Sequence, residues 1–139
     1  MHTPVRRMAV AVLVLALAAC TSASPPPPPA TTIPITNFQM VAGKWSGPIT
    51  GLPGSARDEG DWVEVTIRPD GSHDFKVTRT IGMFGGKGNL TLKDGKMTGQ
   101  GERGSAEYTL SERGGKQYLR AQALLENNIK VTGDLTRAR

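Results

Sequence analysis

Apolar and polar residues alternate with a period of two from Asn37 to the end of the chain. The stretch 61–68 is representative, because Val63, Val65 and Ile67 occupy every second position and polar residues separate them. Successive side chains of a β-strand point to opposite faces, so this period is typical of strands with one buried face. No stretch of the region has helical periodicity. The pattern therefore predicts an all-β domain.

Two-residue turn signals such as Asp94-Gly95 and Gly114-Gly115 separate the alternating stretches. The predicted strands are residues 41–49, 61–68, 72–81, 86–93, 96–103, 105–113, 116–125 and 128–137. Short links make neighbouring strands antiparallel, and closure of the sheet would hide its edges. The prediction is a single eight-stranded antiparallel meander barrel. A sandwich of the same strands is the alternative.

Composition limits what such a domain can do. The chain has 139 residues, which allows one domain, and a single Cys, which excludes an internal disulfide and a Cys-rich metal site. Small residues, including Ala121, Ala123 and Gly133, fall on faces where large inward side chains are expected. In a barrel they either let the wall bend or leave room for a ligand.

The first twenty residues resemble a bacterial lipoprotein signal peptide. Arg6 and Arg7 precede the uncharged stretch 8–18, whose eleven residues make roughly 17 Å of helix, too short for a ~30 Å hydrocarbon core. The stretch ends in Leu-Ala-Ala-Cys, which is similar to the lipobox of these proteins. The resemblance implies cleavage before Cys20 and attachment of lipid to it.

This resemblance divides the chain into a signal peptide (residues 1–19), a lipidated Cys with a Pro-rich linker (20–36) and the barrel domain (37–139). Six prolines in 21–36 favour an extended stalk. The membrane is thus an expected partner, and Thr21 after the cysteine favours the outer membrane, facing the periplasm, by analogy with the family. Cleavage leaves 15 basic and 12 acidic side chains, a net charge of about +3, so no nucleic-acid partner is expected.

The start of the first strand resembles that of lipocalins and other calycin barrels. Gly43-Lys44-Trp45 is similar to their G-x-W motif, in which the Trp plugs the closed end and packs against an Arg near the last strand. The resemblance implies that Trp45 and Arg137 form this structural plug. The lipocalin T-D-Y motif is absent, and no C-terminal helix follows Leu135.

Residues suited to catalysis are scarce. After cleavage His73 is the only histidine, and its neighbours Ser72 and Asp74 would point to the opposite face of a strand. The glycine-rich run 82–88 lacks the Ser or Thr that a phosphate-binding loop requires. We therefore expect no enzyme activity, no metal and no cofactor.

A binding role is the leading hypothesis. Trp62, Met83 and Phe84 are candidate contact residues at the rim, beside the long connection 51–60. The expected function is a non-catalytic envelope module that binds a small apolar ligand or an envelope protein. The alternatives are a protease inhibitor of the barrel-type lipoproteins, acting through the segment 31–37, and a purely structural envelope lipoprotein. Those inhibitors usually carry a cysteine pair, which this domain lacks.

We predict that Cys20 carries the lipid anchor. A Cys20→Ala chain should leave the membrane fraction or accumulate unprocessed, because the thiol is the attachment point. Fractionation of cells expressing both forms measures this. Soluble periplasmic protein from the unchanged gene would contradict the prediction.

Overall fold

The computed structural model describes residues 24–54 and 60–139, and these form nine strands and two short 3-10 turns. The strands are β1 (Thr31–Ile33), β2 (Gly43–Thr50), β3 (Asp61–Ile67), β4 (Ser72–Arg79), β5 (Gly82–Lys93), β6 (Lys96–Gly101), β7 (Gly104–Arg113), β8 (Lys116–Leu125) and β9 (Lys130–Arg137). The 3-10 turns are Phe38–Met40 and Glu126–Asn128. Within the described ranges, no helix is long and apolar enough to cross a membrane.

The strands β2 to β9 form a closed antiparallel barrel. Each pairs with the next along the chain, and β9 returns to pair with β2. The predicted fold class, an eight-stranded antiparallel meander barrel, is confirmed and is consistent with a lipocalin-like arrangement. The remaining strand, β1, pairs with the last residues of β7.

The period-two alternation produces the core. Val63, Val65 and Ile67 on β3 are 1–7% exposed, whereas Trp62 and Glu64, at the alternate positions, face solvent. The fully buried side chains come from the N-terminal segment and most of the strands: Trp45, Ile67, Met97, Leu110, Leu119, Leu135, Val41 and Val65. One continuous apolar core therefore fills the barrel.

The turn signals act as predicted at one end of the barrel, which we call the closed end. Asp94 and Gly95 have φ of 52° and 74°, the two consecutive positive values of a hairpin turn that follows the twist of its strands. Gly114 and Gly115 do the same between β7 and β8, with φ of 57° and 75°. The opposite end, which carries the connections 51–60, 80–81 and 102–103, is called the mouth.

Trp45 lies at the centre of the closed end and is 0% exposed. Its indole N–H donates to the Val41 carbonyl at 2.7 Å, and the Arg137 guanidinium lies 4.5 Å from the ring centroid. Arg137 also donates to the carbonyls of Ala42 and Met40, both at 2.6 Å. The structure therefore places Trp45 and Arg137 together, where they join the N-terminal segment to the first and last strands of the barrel.

The folded part begins earlier than the predicted boundary at residue 37. Thr31–Ile33 pairs with β7, Ile35 is 2% exposed, and its N–H donates to the Gly95 carbonyl at 2.8 Å. Residues 31–35 of the predicted linker are thus packed against the barrel, because they pair with β7 and because the β5–β6 turn offers them a carbonyl and an apolar contact. The predicted signal peptide and Cys20 lie outside the described residues.

We predict that replacing each of the two tryptophans by alanine lowers the free energy of unfolding by a very different amount. Trp45→Ala should lower the free energy of unfolding by about 3–5 kcal/mol, because it removes a fully buried aromatic ring. Trp62→Ala should cost about 1 kcal/mol or less, since nearly half of that side chain is exposed. Urea unfolding followed by circular dichroism measures both, and equal small losses would contradict the plug at the closed end.

Candidate functional site

A row of residues crosses the outer face of the barrel near the mouth. Pro48, Trp62, Thr78 and Met83 are neighbours in the register of β2 to β5, and all four face solvent. Trp62 is 46% exposed and Met83 is 67% exposed. Two strand spacings separate them, about 10 Å. We call these four residues the outer row; three of them are apolar, on a face where alternation otherwise places polar side chains.

The three predicted contact residues separate in the structure. Trp62 and Met83 lie in the outer row, whereas Phe84 is half-buried and packs against the core, because adjacent strand residues point to opposite faces. Ile81, in the turn beside Met83, is 78% exposed and was not predicted. The predicted strand 72–81 includes Ile81, but the strand ends at Arg79. The signal that could have found it is the lone isoleucine next to Gly82.

A buried ion pair lies at the mouth, next to the outer row. Arg79 Nε lies 2.9 Å from an oxygen of Asp61, which is 4% exposed, and Arg79 Nη2 donates to the Pro53 carbonyl at 2.6 Å. Asp61 directly precedes Trp62. The ion pair therefore joins β3, β4 and the first part of the 51–60 connection, and it fixes the strand that carries Trp62. Residues 55–59 lie outside the described ranges.

Surface charges close to the outer row differ in whether they are paired. Asp74 accepts two hydrogen bonds from Arg68, at 2.8 and 3.0 Å. Lys76 and Lys87, which lie on β4 and β5 below Thr78 and Met83, form no ion pair with any described residue. The surface below the outer row therefore carries two lysine charges without a salt-bridge partner in the described part of the chain.

The residues Ser72, His73 and Asp74 do not meet. The Ser72 hydroxyl donates to Asp70 at 2.7 Å, Asp74 binds Arg68, and His73 points into the barrel. Nowhere in the described ranges do three His, Cys, Asp or Glu side chains come together as a metal site. These contacts are structural ones, made by each side chain on its own face.

His73 belongs to an aromatic group inside the barrel. Its Nδ1 lies 3.1 Å from the Gly88 carbonyl, which can only accept, so Nδ1 carries the hydrogen. The rings of Phe75 and Tyr108 lie 6.4 and 6.5 Å away, centroid to centroid. Burial lowers the pKa of His73 and raises the pKa of Tyr108 to about 12, so both are neutral at pH 7.

Side chains of the core occupy the space beside the small inward residues. A Cβ on Gly133 would stand 2.6 Å from Ile49 Cγ2, and one on Gly99 would stand 3.1 Å from Leu90 Cδ2. These two glycines therefore admit neighbouring side chains of the same core. At these two positions the small residue therefore leaves no room for a ligand, which was one of the two alternatives that the sequence left open.

Two open pockets lie away from this core. One, of about 520 Å³, opens at the mouth between the β6–β7 turn and residues 124–128. The other, of about 450 Å³, lies on the outer face of β6 to β9, where outward residues such as Gln100, Gln122 and Lys130 line it. Both are open to solvent and have walls that are polar and apolar in about equal parts, so neither is the apolar enclosure that a small apolar ligand would require.

The chain matches no protein-family model, no curated protein and no solved structure. Its function must therefore be inferred from its own residues. Among these, the outer row and Ile81 form the most prominent exposed apolar surface of the described part. Large exposed apolar side chains that cluster in this way often mark a contact site.

We predict a pH dependence of stability that comes from His73. Its pKa is lower in the folded protein, so the unfolded chain binds more protons below about pH 6.5, and stability should fall as the pH drops from 7 towards 5. In His73→Gln this fall should disappear. Urea titrations at pH 5, 6, 7 and 8 measure it. Asp70 and Asp134 do not interfere, because hydrogen bonds lower their pKa values from 3.8. An unchanged slope in the variant would contradict the prediction.

Proposed function

We propose that this chain is a lipid-anchored protein of the bacterial envelope whose barrel is a non-catalytic module that binds another envelope protein. Lipid on Cys20 would hold it to the membrane, and the outer row with Ile81 would form the contact surface. The single observation that carries the proposal is the exposure of Trp62, Ile81 and Met83 together beside the mouth.

The size of these side chains supports a protein partner. Trp and Met are enriched in protein–protein interfaces, where a few large side chains supply most of the affinity. A packed interior argues against the alternative of a small apolar ligand, since Ile49 and Leu90 occupy the space beside the inward glycines. The surface that remains for binding is the outside of the barrel.

The position of the N-terminal segment supports an orientation. Pro28 lies against the β7–β8 turn, 3.7 Å from where a Cβ of Gly114 would stand, and Thr31 pairs with Glu112 at the closed end. The chain therefore reaches the barrel from the closed end. A lipid on Cys20 would place the closed end nearer the membrane and the outer row away from it. An extended segment from residue 20 to residue 31 would span about 34 Å.

The inhibitor alternative has less support. It uses residues 31–37 as a free segment that enters an enzyme cleft. In the structure Thr31–Ile33 is paired with β7 and Ile35 is 2% exposed, so entry into a cleft would require this segment to leave the barrel.

We predict that Trp62 contacts a protein in intact cells. A photo-crosslinking amino acid at position 62 should give one defined protein adduct in the envelope, and Met83→Ser in the same chain should weaken it at least about fivefold, since it removes an apolar contact of about 1 kcal/mol or more. Leu124 is the matched control, because it is 43% exposed on β8, away from the outer row.

The same crosslinker at position 124 should not give this adduct. Equal adducts at positions 62 and 124, or none at position 62, would contradict the proposed function. Unchanged circular dichroism spectra for Met83→Ser would show that the loss comes from the contact surface and not from unfolding.

A further inference from the structure

Strand β5 is longer than the strand that pairs with it on one side. Its pairing with β4 runs from Gly82 to Asn89, whereas its pairing with β6 covers only Leu90 to Lys93. Beyond Gly99, β6 continues to Gly101 in ladder pairing with β7 alone. The barrel wall is therefore joined between β5 and β6 near the closed end and separates towards the mouth.

The hydrogen bonds show which backbone groups this leaves unused. Leu90 N–H donates to the Gly71 carbonyl, on the β4 side. Alternate residues of a strand direct their backbone groups to opposite edges, so the even-numbered residues of β5 face β4. The odd-numbered Met83, Gly85 and Lys87 then face the other edge, where they have no ladder partner among the described residues. We call these three residues the free edge.

The surroundings of the free edge suit an extended chain. On the inner side, the Phe75 ring lies directly under Gly86, where a Cβ would stand 2.9 Å from the ring, and Phe84 is half-buried beside it. On the outer side, Met83 is 67% exposed and Lys87 has no ion-pair partner in the described part of the chain. An incoming strand would thus meet aromatic surface with its inward side chains, and an apolar group and a positive charge with its outward ones.

We propose that the free edge binds an extended, acidic segment of a partner protein by adding it to the barrel as an antiparallel strand next to β5. Backbone groups of Met83, Gly85 and Lys87 would supply the hydrogen bonds, in the manner of peptide recognition by sheet edges. The inference rests on the proposed function, because it names how the partner binds beside the outer row.

The register specifies the chemistry of the segment. In an antiparallel strand, an acidic residue opposite Lys87 would be followed by an inward apolar residue opposite Gly86. The fourth residue after the acidic one would lie opposite Met83 and would be apolar. Charge complementarity with Lys87 favours this segment over a second copy of the chain, whose own β5 edge contributes Lys87 and no acidic residue.

The test measures amide hydrogen exchange in the full chain, purified in detergent and labelled for NMR. The probe is the blocked peptide Thr-Thr-Glu-Val-Thr-Ala-Val-Thr-Thr, added to about 1 mM. Exchange at Met83, Gly85 and Lys87 should slow by about tenfold, the effect of one added hydrogen bond at each amide. The amides of Phe84 and Gly86 already face β4 and should change little. The same peptide with N-methyl groups on alternate residues is the matched control and should give no protection.

Two substitutions of Lys87 separate the contribution of its backbone N–H to peptide affinity from that of its charge. Lys87→Pro removes the free-edge N–H and should lower peptide affinity at least about tenfold, whereas proline at an unpaired edge is compatible with the fold. Lys87→Gln keeps the N–H and should lower affinity about threefold, with a weaker salt dependence. Met83→Pro is the second proline variant if Lys87→Pro does not fold. Gly85 is unsuitable, because a Cβ there would overlap the Phe75 carbonyl oxygen.

Each other outcome overturns the inference. Peptide binding without protection of the three amides would place the peptide elsewhere, and no binding at about 1 mM would exclude this chemistry. Protection of these three amides that increases with protein concentration in the absence of peptide would identify a second copy of the chain as the occupant. If the position-62 adduct persists in Lys87→Pro, strand addition is wrong while the proposed function stands. If the unchanged chain gives no adduct, the proposed function itself fails.

Discussion

The packing of Trp45 against Arg137 determines how the barrel is built. The indole donates to Val41, and the guanidinium covers the ring and binds the carbonyls of Met40 and Ala42. A cation over an indole face contributes about 0.5–2 kcal/mol, in addition to the burial of the ring itself. This group holds β2 to β9 and covers the closed end with the N-terminal segment. The outer surface and the mouth are the parts of the barrel that this group leaves uncovered.

The barrel is closed at one end, but neighbouring strands differ in length towards the mouth. β5 has twelve residues and β6 has six, so the two strands cannot pair along their whole length. The part of β5 nearer the mouth is rich in glycine. Gly85 lies directly against the backbone of Phe75, and Gly86 lies against its ring. These glycines keep β5 close to β4 while its other edge stays unpaired. The outer row and the free edge therefore lie together, on the side away from the predicted anchor.

The period-two alternation of apolar and polar residues, together with the turn residues, predicted most of this fold. The alternation located all eight barrel strands, because one buried face gives a strong pattern, and Asp94-Gly95 located its hairpin. The strand Thr31–Ile33 was missed because three residues between prolines show no alternation. The first residues of β5 were missed because glycines carry no pattern. The sequence predicted Trp62 and Met83 as contact residues at the rim. That they lie in one row with Pro48 depends on the register between strands, which a single sequence does not specify.

The most direct test of the account is amide exchange along β5 in the chain without any added partner. β5 and β6 are not paired on the mouth side of Leu90. The amides of Phe84, Gly86 and Gly88 face β4 and should therefore exchange slowly. Those of Met83, Gly85 and Lys87 face the unpaired edge and should exchange quickly. This alternation would establish an unpaired edge beside the mouth. Slow exchange at all six amides would show that both edges of β5 are paired, and would contradict the account.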